Sequence, residues 1–415
     1  MARRAAGVSG EGLPRRERAR TMGPMAGRWS GAVLALAGIA VVAMNVALPG
    51  LTPPSEVGPV VERSAAEPRP AAAGPRLVKY GQDIPSPEQV AAAAGRYDAL
   101  PFDGIVMRTP ESADIFSPRR VEHGALLRQV SALPAGLRMQ DNWVRITLHD
   151  ELDWSDDALW RTVAANAGTM ARALRESGRP YAGIWFDNEW YGEGGSPWDY
   201  GTSTRAWTPS DDDGATPGLA PEEATALTRS RGAQVMAAMT GGWPDLKVMV
   251  LFGPWVSEPS TYEALTDAGL PYNDISWVNE LSGPFFSGMV DRRGQATVID
   301  GGEYYGARSR DEYATFADWQ RRGFLLAGSR SVRAAEAQDY RSGVASALAV
   351  YDRDQQDDYH VLDADTLGDL TQDALAEATD YVWLYTEEHE WGASRSMKPE
   401  VPQEYVDAIA AARRR

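Results

Sequence analysis

The sequence has 415 residues, of which 43% are hydrophobic and 24% are charged, as expected of a chain that folds around a sizeable core. Its net charge of -17 argues against a nucleic-acid partner, because the phosphate backbone is bound by basic surfaces. Cysteine is absent, which excludes disulfides, thiolate metal sites and cysteine nucleophiles. The four histidines include no HExxH arrangement, so we expect neither a metal nor a cofactor.

The N-terminal segment is predicted to be a membrane anchor. Seven arginines and two glutamates give residues 1–28 a net charge of +5, which leaves -22 for the rest of the chain. The uncharged stretch 29–51 is long enough to cross a bilayer of roughly 30 Å as a helix. The positive-inside rule keeps the arginine arm cytoplasmic and places the remainder outside. A cleaved signal peptide, giving a secreted protein, is the alternative, although its apolar region is usually only about 7–15 residues.

A linker and one large domain follow. Residues 52–76 are rich in proline and alanine and have too few large apolar side chains to fold, so we predict a disordered spacer. The folded domain is then expected to span residues 77–415.

The domain alternates short apolar runs with helical segments. Helices are predicted over 86–100, 155–178 and 221–242, the first two with serine caps. Runs buried on both faces and separated by helices are typical of a parallel sheet. Eight such units predict an α/β fold, specifically a (β/α)8 TIM-like barrel. A doubly wound open sheet is the alternative, but no GxGxxG or GxxxxGK[ST] loop follows a strand. The predicted strands are 77–82, 102–109, 143–150, 181–190, 246–255, 296–305, 347–354 and 381–391.

Carboxylates and aromatic residues concentrate at the predicted strand ends, where barrels carry their active sites. Glycoside cleavage needs this combination. One carboxyl protonates the leaving oxygen, and a second attacks the sugar, activates water or stabilises positive charge, while aromatic rings contact sugar faces. The candidate catalytic residues are Glu189, Asp187, Glu303 and Glu387, and the candidate substrate-binding residues are Trp190, Tyr191, Trp255, Tyr304, Trp391 and His149.

The fourth strand carries the most specific motif. Alternation along WFDNEW puts Asp187 and Glu189 on the same side of the strand. The segment Gly183–Tyr191 resembles the fourth-strand motif of barrel glycoside hydrolases. Its G-I-x-x-D-x-E-[WY] pattern is similar to that of chitinase-like families, and its Asn-Glu pair is similar to that of the large retaining-glycosidase clan. Both resemblances imply that Glu189 is the proton donor.

The two resemblances differ over the partner of that donor. The chitinase-like pattern implies Asp187, together with a further aspartate where this chain has Trp185. The retaining clan implies a nucleophile on strand seven, where this chain offers Asp352. The nearest glutamates are instead Glu303 on strand six and Glu387 on strand eight.

Two functional hypotheses follow. The first is a membrane-anchored, extracytoplasmic glycoside hydrolase-like enzyme that acts on a poly- or oligosaccharide. The second is a non-catalytic barrel that binds glycan or scaffolds an envelope complex. A serine hydrolase is disfavoured because the sequence has no GxSxG elbow.

Overall fold

The computed structural model describes residues 74–150, 152–192, 196–200, 219–258, 261–270, 279–323, 325, 329, 331–394 and 396–414. The predicted arm 1–28, the predicted anchor 29–51 and the spacer as far as residue 73 lie outside the described residues. Within the described part of the chain, no helix is long and apolar enough to cross a membrane.

Eight parallel strands close into a barrel in chain order, with β1 also paired to β8. The predicted (β/α)8 barrel is therefore confirmed, and all eight predicted strands are present. The open-sheet alternative is wrong, because a doubly wound sheet has two unpaired edges. The strands are β1 Arg76–Gly81, β2 Gly104–Met107, β3 Asn142–Leu148, β4 Tyr181–Trp190, β5 Lys247–Val250, β6 Thr297–Asp300, β7 Val344–Tyr351 and β8 Tyr381–Thr386.

Helices surround this barrel, and two of the three predicted ones differ in detail from the prediction. The segment 86–100 forms two short helices, because the backbone leaves helical geometry at Ala93. The cap of the segment 155–178 is Asp156 rather than Ser155, since its carboxylate accepts the first free backbone N–H groups. The helices are α1 Pro87–Ala92, α2 Ala94–Ala99, α3 His123–Val130, α4 Asp157–Ser177, α5 Pro221–Gly242, α6 Thr261–Asp267, α7 Ser282–Asp291, α8 Arg310–Asp318, α9 Ala337–Gly343, α10 Ala364–Glu377 and α11 Gln403–Ala412.

Large side chains fill the barrel interior. Because alternate residues of a strand face the interior, each strand contributes its own inward-facing set. Trp143, Trp185 and Trp383 are fully buried there, with the ring of Trp185 5.8 Å from that of Trp143 and 5.5 Å from that of Trp383. A packed interior leaves only the mouth of the barrel, formed by the C-terminal strand ends, for a ligand.

Candidate active site

Asp187 lies at the end of the inward-facing row of β4, directly above the tryptophans. It is fully buried, and its Oδ2 atom accepts hydrogen bonds from the hydroxyls of Tyr80 at 2.6 Å and Tyr191 at 3.1 Å. The Arg145 guanidinium on β3 lies 3.4 Å from the same oxygen and supplies a positive charge. Burial raises the pKa of Asp187, whereas Arg145 and the two hydroxyls act in the opposite direction.

Glu189 lies two residues further along the same strand, and its side chain is partly buried. Its Oε2 accepts the Tyr191 hydroxyl at 2.7 Å, so one phenol contacts both β4 carboxylates. Asp187 and Glu189 therefore lie on the same side of β4, as expected. Burial raises the pKa of Glu189; the charge of Asp187 adds to the increase, and the Tyr191 hydrogen bond opposes it.

Glu303 approaches the same two groups from the segment after β6. Gly302 adopts a left-handed backbone with φ of 59°, and the Glu303 N–H then donates to the Leu251 carbonyl at 3.2 Å. The glutamate is buried, and its Oε1 accepts the Tyr305 hydroxyl at 2.8 Å. Its Oε2 has no hydrogen-bond partner among the described residues.

The electrostatics show that these three groups form one cluster, which we call the carboxylate trio: Asp187, Glu189 and Glu303. Burial raises the pKa of Glu303 well above its usual range, and the charges of Asp187 and Glu189 raise it further. The structure thus brings together three of the four predicted catalytic residues.

Glu387 lies at the same mouth, after β8, but has different partners. It accepts a hydrogen bond from Tyr351, and the Arg353 Nε atom lies 3.8 Å from its Oε2. Tyr385 connects it to the trio: burial raises the pKa of this phenol, and the charges of two trio members and of Glu387 raise it further. Glu387 is therefore a neighbour of the trio, and Arg353 lies nearer to Glu388, at 2.5 Å, than to Glu387.

Asp352, the strand-seven carboxylate, does not join the trio. It is buried on the outward-facing side of the barrel wall, and its Oδ2 accepts the backbone N–H groups of Glu387 at 2.9 Å and Glu388 at 3.1 Å. Asp352 therefore stabilises the loop after β8. The strand-seven nucleophile that the retaining-clan resemblance implies is not presented at this position.

Three of the predicted substrate-binding rings lie in the core. Trp255 donates from Nε1 to Asp300 at 3.3 Å, and the ring of Tyr304 stacks on Phe316 at 4.6 Å. Trp391 is likewise buried. Burial leaves these rings no free face for a sugar, so their role is packing rather than substrate binding.

The other three predicted substrate-binding residues lie near Glu189. Tyr191 is 45% exposed, and the exposed His149 ring lies 5.7 Å from it. The His149 Nε2 atom is 2.8 Å from the Thr147 hydroxyl. Trp190 is partly buried and packs against the outer core, so it is placed less favourably for a ligand than its neighbour Tyr191.

Several site residues were absent from the sequence-based candidates. Arg145 had a usable signal: it is the only charged residue in WVRITL, a run that reads as buried on both faces, where a charge requires a partner. The tyrosines have no such signal, because an aromatic residue in a strand is equally typical of the core. These residues are Tyr80, Arg145, Tyr305, Tyr351, Tyr359 and Tyr385.

The described residues contain no group of three or more histidine, aspartate or glutamate side chains arranged to hold a metal ion.

No protein-family model matches the sequence, and no curated protein matches it. Solved structures do share the fold. An exo-β-1,4-mannosidase from an Opitutaceae bacterium is 12% identical with a TM-score of 0.42, over 82% of this chain and 59% of that one. A β-mannanase from the blue mussel Mytilus edulis is 8% identical with a TM-score of 0.41, over 82% and 92%.

A solved structure with a different activity is also similar. A 3-keto-D-glucoside 4-epimerase from E. coli is 13% identical with a TM-score of 0.36, over 82% of this chain and 100% of that one. This chain spans 59% of the length of the mannosidase. Similarities this weak assign no activity to this chain, and the barrel itself is shown by its eight closed strands.

Proposed function

We propose that this protein hydrolyses glycosidic bonds in a poly- or oligosaccharide, with Glu189 as the proton donor and Glu303 as the second carboxyl group. The observation that carries the proposal is the carboxylate trio itself. Three acids share the mouth of a barrel, and the buried Oε2 of Glu303 has no partner among the described residues.

The charge balance of the trio supports acid–base chemistry. Arg145 and two phenols stabilise the ionised form of Asp187. Among the described residues no cation acts in this way on Glu189 or Glu303, and the charges of Asp187 and Glu189 disfavour ionisation of Glu303. Glycoside cleavage by this pair requires that the two glutamates hold one proton between them at the working pH. A protonated and an ionised carboxyl group side by side are what glycoside cleavage requires.

The roles follow from position. Glu189 is partly exposed at the mouth, where the leaving oxygen of a substrate would arrive, so it is the donor. Glu303 is buried below, with a free oxygen that can attack the sugar, activate water or stabilise positive charge. Asp187 fixes Tyr191 and holds negative charge beside the donor, which keeps the pKa of Glu189 raised.

Hydrolysis of a panel of poly- and oligosaccharides tests this function. We expect the wild type to release sugar from at least one member, and Glu189→Gln to reduce that rate by about 10²-fold or more, the usual contribution of a general acid. Glu404→Gln, which alters an exposed residue of α11, is the matched control and should not change the rate. Binding without release by the wild type would instead support the glycan-binding or scaffold alternative.

We also propose that the barrel lies outside the cytoplasm, tethered by residues 29–51. The proposal is supported by the +5 charge of residues 1–28 and the apolar stretch that follows. Fractionation of cells producing the full chain should recover it with membranes, and deletion of residues 29–51 should release it. A secreted chain lacking the first 51 residues would show a cleaved signal peptide instead.

A further inference from the structure

The loop after β7, Arg353–Val361, has an unusual backbone at the mouth of the barrel. Its ends are joined by an antiparallel bridge between Arg353 and Val361. At its tip, Asp358 and Tyr359 have φ angles of 46° and 61°. Left-handed geometry is disfavoured for residues with a Cβ, and for a bulky residue such as tyrosine it is a genuine outlier. Such strain persists where the surrounding structure holds the residue in place, often at ligand sites.

This strained tip presents an aromatic ring to solvent. Tyr359 is 47% exposed. Among the described residues, the other exposed large hydrophobic side chains are those of Tyr191 and Met397. Two of these three are therefore tyrosines at the mouth, one on the Glu189 side and one on the Glu387 side.

A row of tyrosines connects Tyr359 to the carboxylate trio. Tyr305 donates to Glu303, and its ring lies 4.9 Å from that of Tyr351. The ring of Tyr351 lies 5.8 Å from that of Tyr359. Successive ring contacts therefore extend from the buried carboxyl group of Glu303 to the exposed ring of Tyr359 at the rim.

Polar groups flank the exposed end of this row. The Tyr359 hydroxyl is 3.4 Å from Glu387 Oε2, and the Arg353 guanidinium lies 5.3 Å from the Tyr359 ring centroid. An aromatic ring beside a carboxylate suits a sugar, whose apolar CH face packs on the ring while its hydroxyls donate to the carboxylate. The exposed Asp357 and Asp358 disfavour an anionic sugar.

We infer that Tyr359 and Glu387 form a subsite for a further, neutral sugar unit of an extended saccharide, beyond the two units joined by the bond that is cleaved at the trio, with the buried ring of Tyr351 packed against Tyr359. This inference rests on the proposed function for the position of the cleaved unit. It predicts that the protein distinguishes substrates by chain length, through Tyr359.

Binding measured without turnover tests the subsite. In the Glu189→Gln background, calorimetry would compare neutral gluco-, manno-, xylo- and chito-oligosaccharides from disaccharide to hexasaccharide. We expect affinity to rise with length in at least one series. Tyr359→Asn, whose asparagine tolerates the left-handed backbone, should weaken the longer ligands about tenfold and leave the disaccharide unchanged. Asp358→Asn relieves the neighbouring strain but keeps the ring, and should retain the length dependence.

The melting temperature separates lost binding from lost folding. Because Asn fits the left-handed geometry, Tyr359→Asn should melt at or above the temperature of the parent protein. If it unfolds instead, Tyr359→Gly, which adopts the same backbone freely, takes its place. Equal affinities of parent and variant for every length, or no binding of any series, would overturn the subsite.

The subsite and the proposed function can fail separately. If the wild type hydrolyses an oligosaccharide and Tyr359→Asn leaves kcat/KM unchanged at every length, the subsite is wrong and the hydrolase stands. If no oligosaccharide is hydrolysed but Tyr359→Asn abolishes the length dependence of binding, the subsite stands and the hydrolase is wrong.

Discussion

The hydroxyl of Tyr191 contacts both carboxyl groups of β4. Its hydroxyl is 2.7 Å from Glu189 and 3.1 Å from Asp187, and it has one proton to donate. It therefore stabilises the charged form of whichever carboxylate accepts it, and the shorter contact favours Glu189.

Replacing Tyr191 by phenylalanine should shift the pH profile of hydrolysis. The hydrogen bond lowers the pKa of Glu189, so its loss raises that pKa further. A donor must be protonated, so activity falls as the pH rises through its pKa. The alkaline limb of kcat/KM in Tyr191→Phe should therefore move to higher pH. An unchanged limb, or one moved to lower pH, would show that Tyr191 does not act on the donor.

The sequence predicted some site residues and missed others for a physical reason. Asp187 and Glu189 could be predicted as site residues because strand alternation places both on one side of β4. Glu303 could be predicted because it lies near the end of the predicted strand 296–305. Tyr80 could not be predicted, because its role depends on a hydrogen bond to Asp187. The two residues are 107 positions apart in the sequence, and no local pattern indicates such a contact.

At the scale of elements, β7 supports β8. Asp352, at the end of β7, accepts two backbone N–H groups from the loop that carries Glu387. Burial raises its pKa to about 6, although the two backbone N–H groups and Arg353 act in the opposite direction. Strand β7 thus contributes a carboxylate that holds the loop carrying Glu387 in position.

The pH dependence of stability should reveal this buried group. In the unfolded chain, an aspartate titrates near its ordinary pKa of about 3.9. The native state thus binds the proton more tightly, and the contribution of Asp352 is fully present below about pH 4 and is lost as the pH rises towards 6. The loss is about 3 kcal/mol, because each pKa unit corresponds to about 1.4 kcal/mol.

Asp352→Asn removes this titration while keeping an acceptor oxygen for the loop. Urea unfolding at several pH values should therefore show the wild type losing stability relative to the variant between about pH 4 and 6. Parallel stability curves over that interval would contradict the raised pKa.

All eight strands were predicted in position, but β5 and β6 have only four residues each, against the predicted 246–255 and 296–305. Each of the eight strands is marked by its own apolar run, whereas helix ends depend on caps that compete within a few residues. Ser155 and Asp156 are both good caps, and only the fold decides that Asp156 accepts the free N–H groups. The break at Ala93 interrupts a run of alanines, which favours a continuous helix, and Gly95 follows two residues later.

At the scale of the whole molecule, the barrel was predictable because buried parallel strands leave continuous apolar runs in the sequence. The mouth was only partly predictable. Strand ends indicate which residues reach it, but the order in which loops approach one another is set by closure of the barrel. Glu303 and Glu387 were therefore equal candidates in sequence, and closure places Glu303 against the β4 pair while Glu387 accepts the Tyr351 hydroxyl instead.

The most direct test of the paired roles of Glu189 and Glu303 varies the leaving group. Two substrates with the same cleaved sugar would be compared, one with a sugar leaving group and one with an aryl group acidic enough to depart without protonation. We predict that Glu189→Gln loses about 10²-fold or more on the first and recovers most of its activity on the second, whereas Glu303→Gln loses activity on both. Wild-type rates for both variants on both substrates would contradict the account, and rescue of Glu303→Gln alone would reverse the two roles.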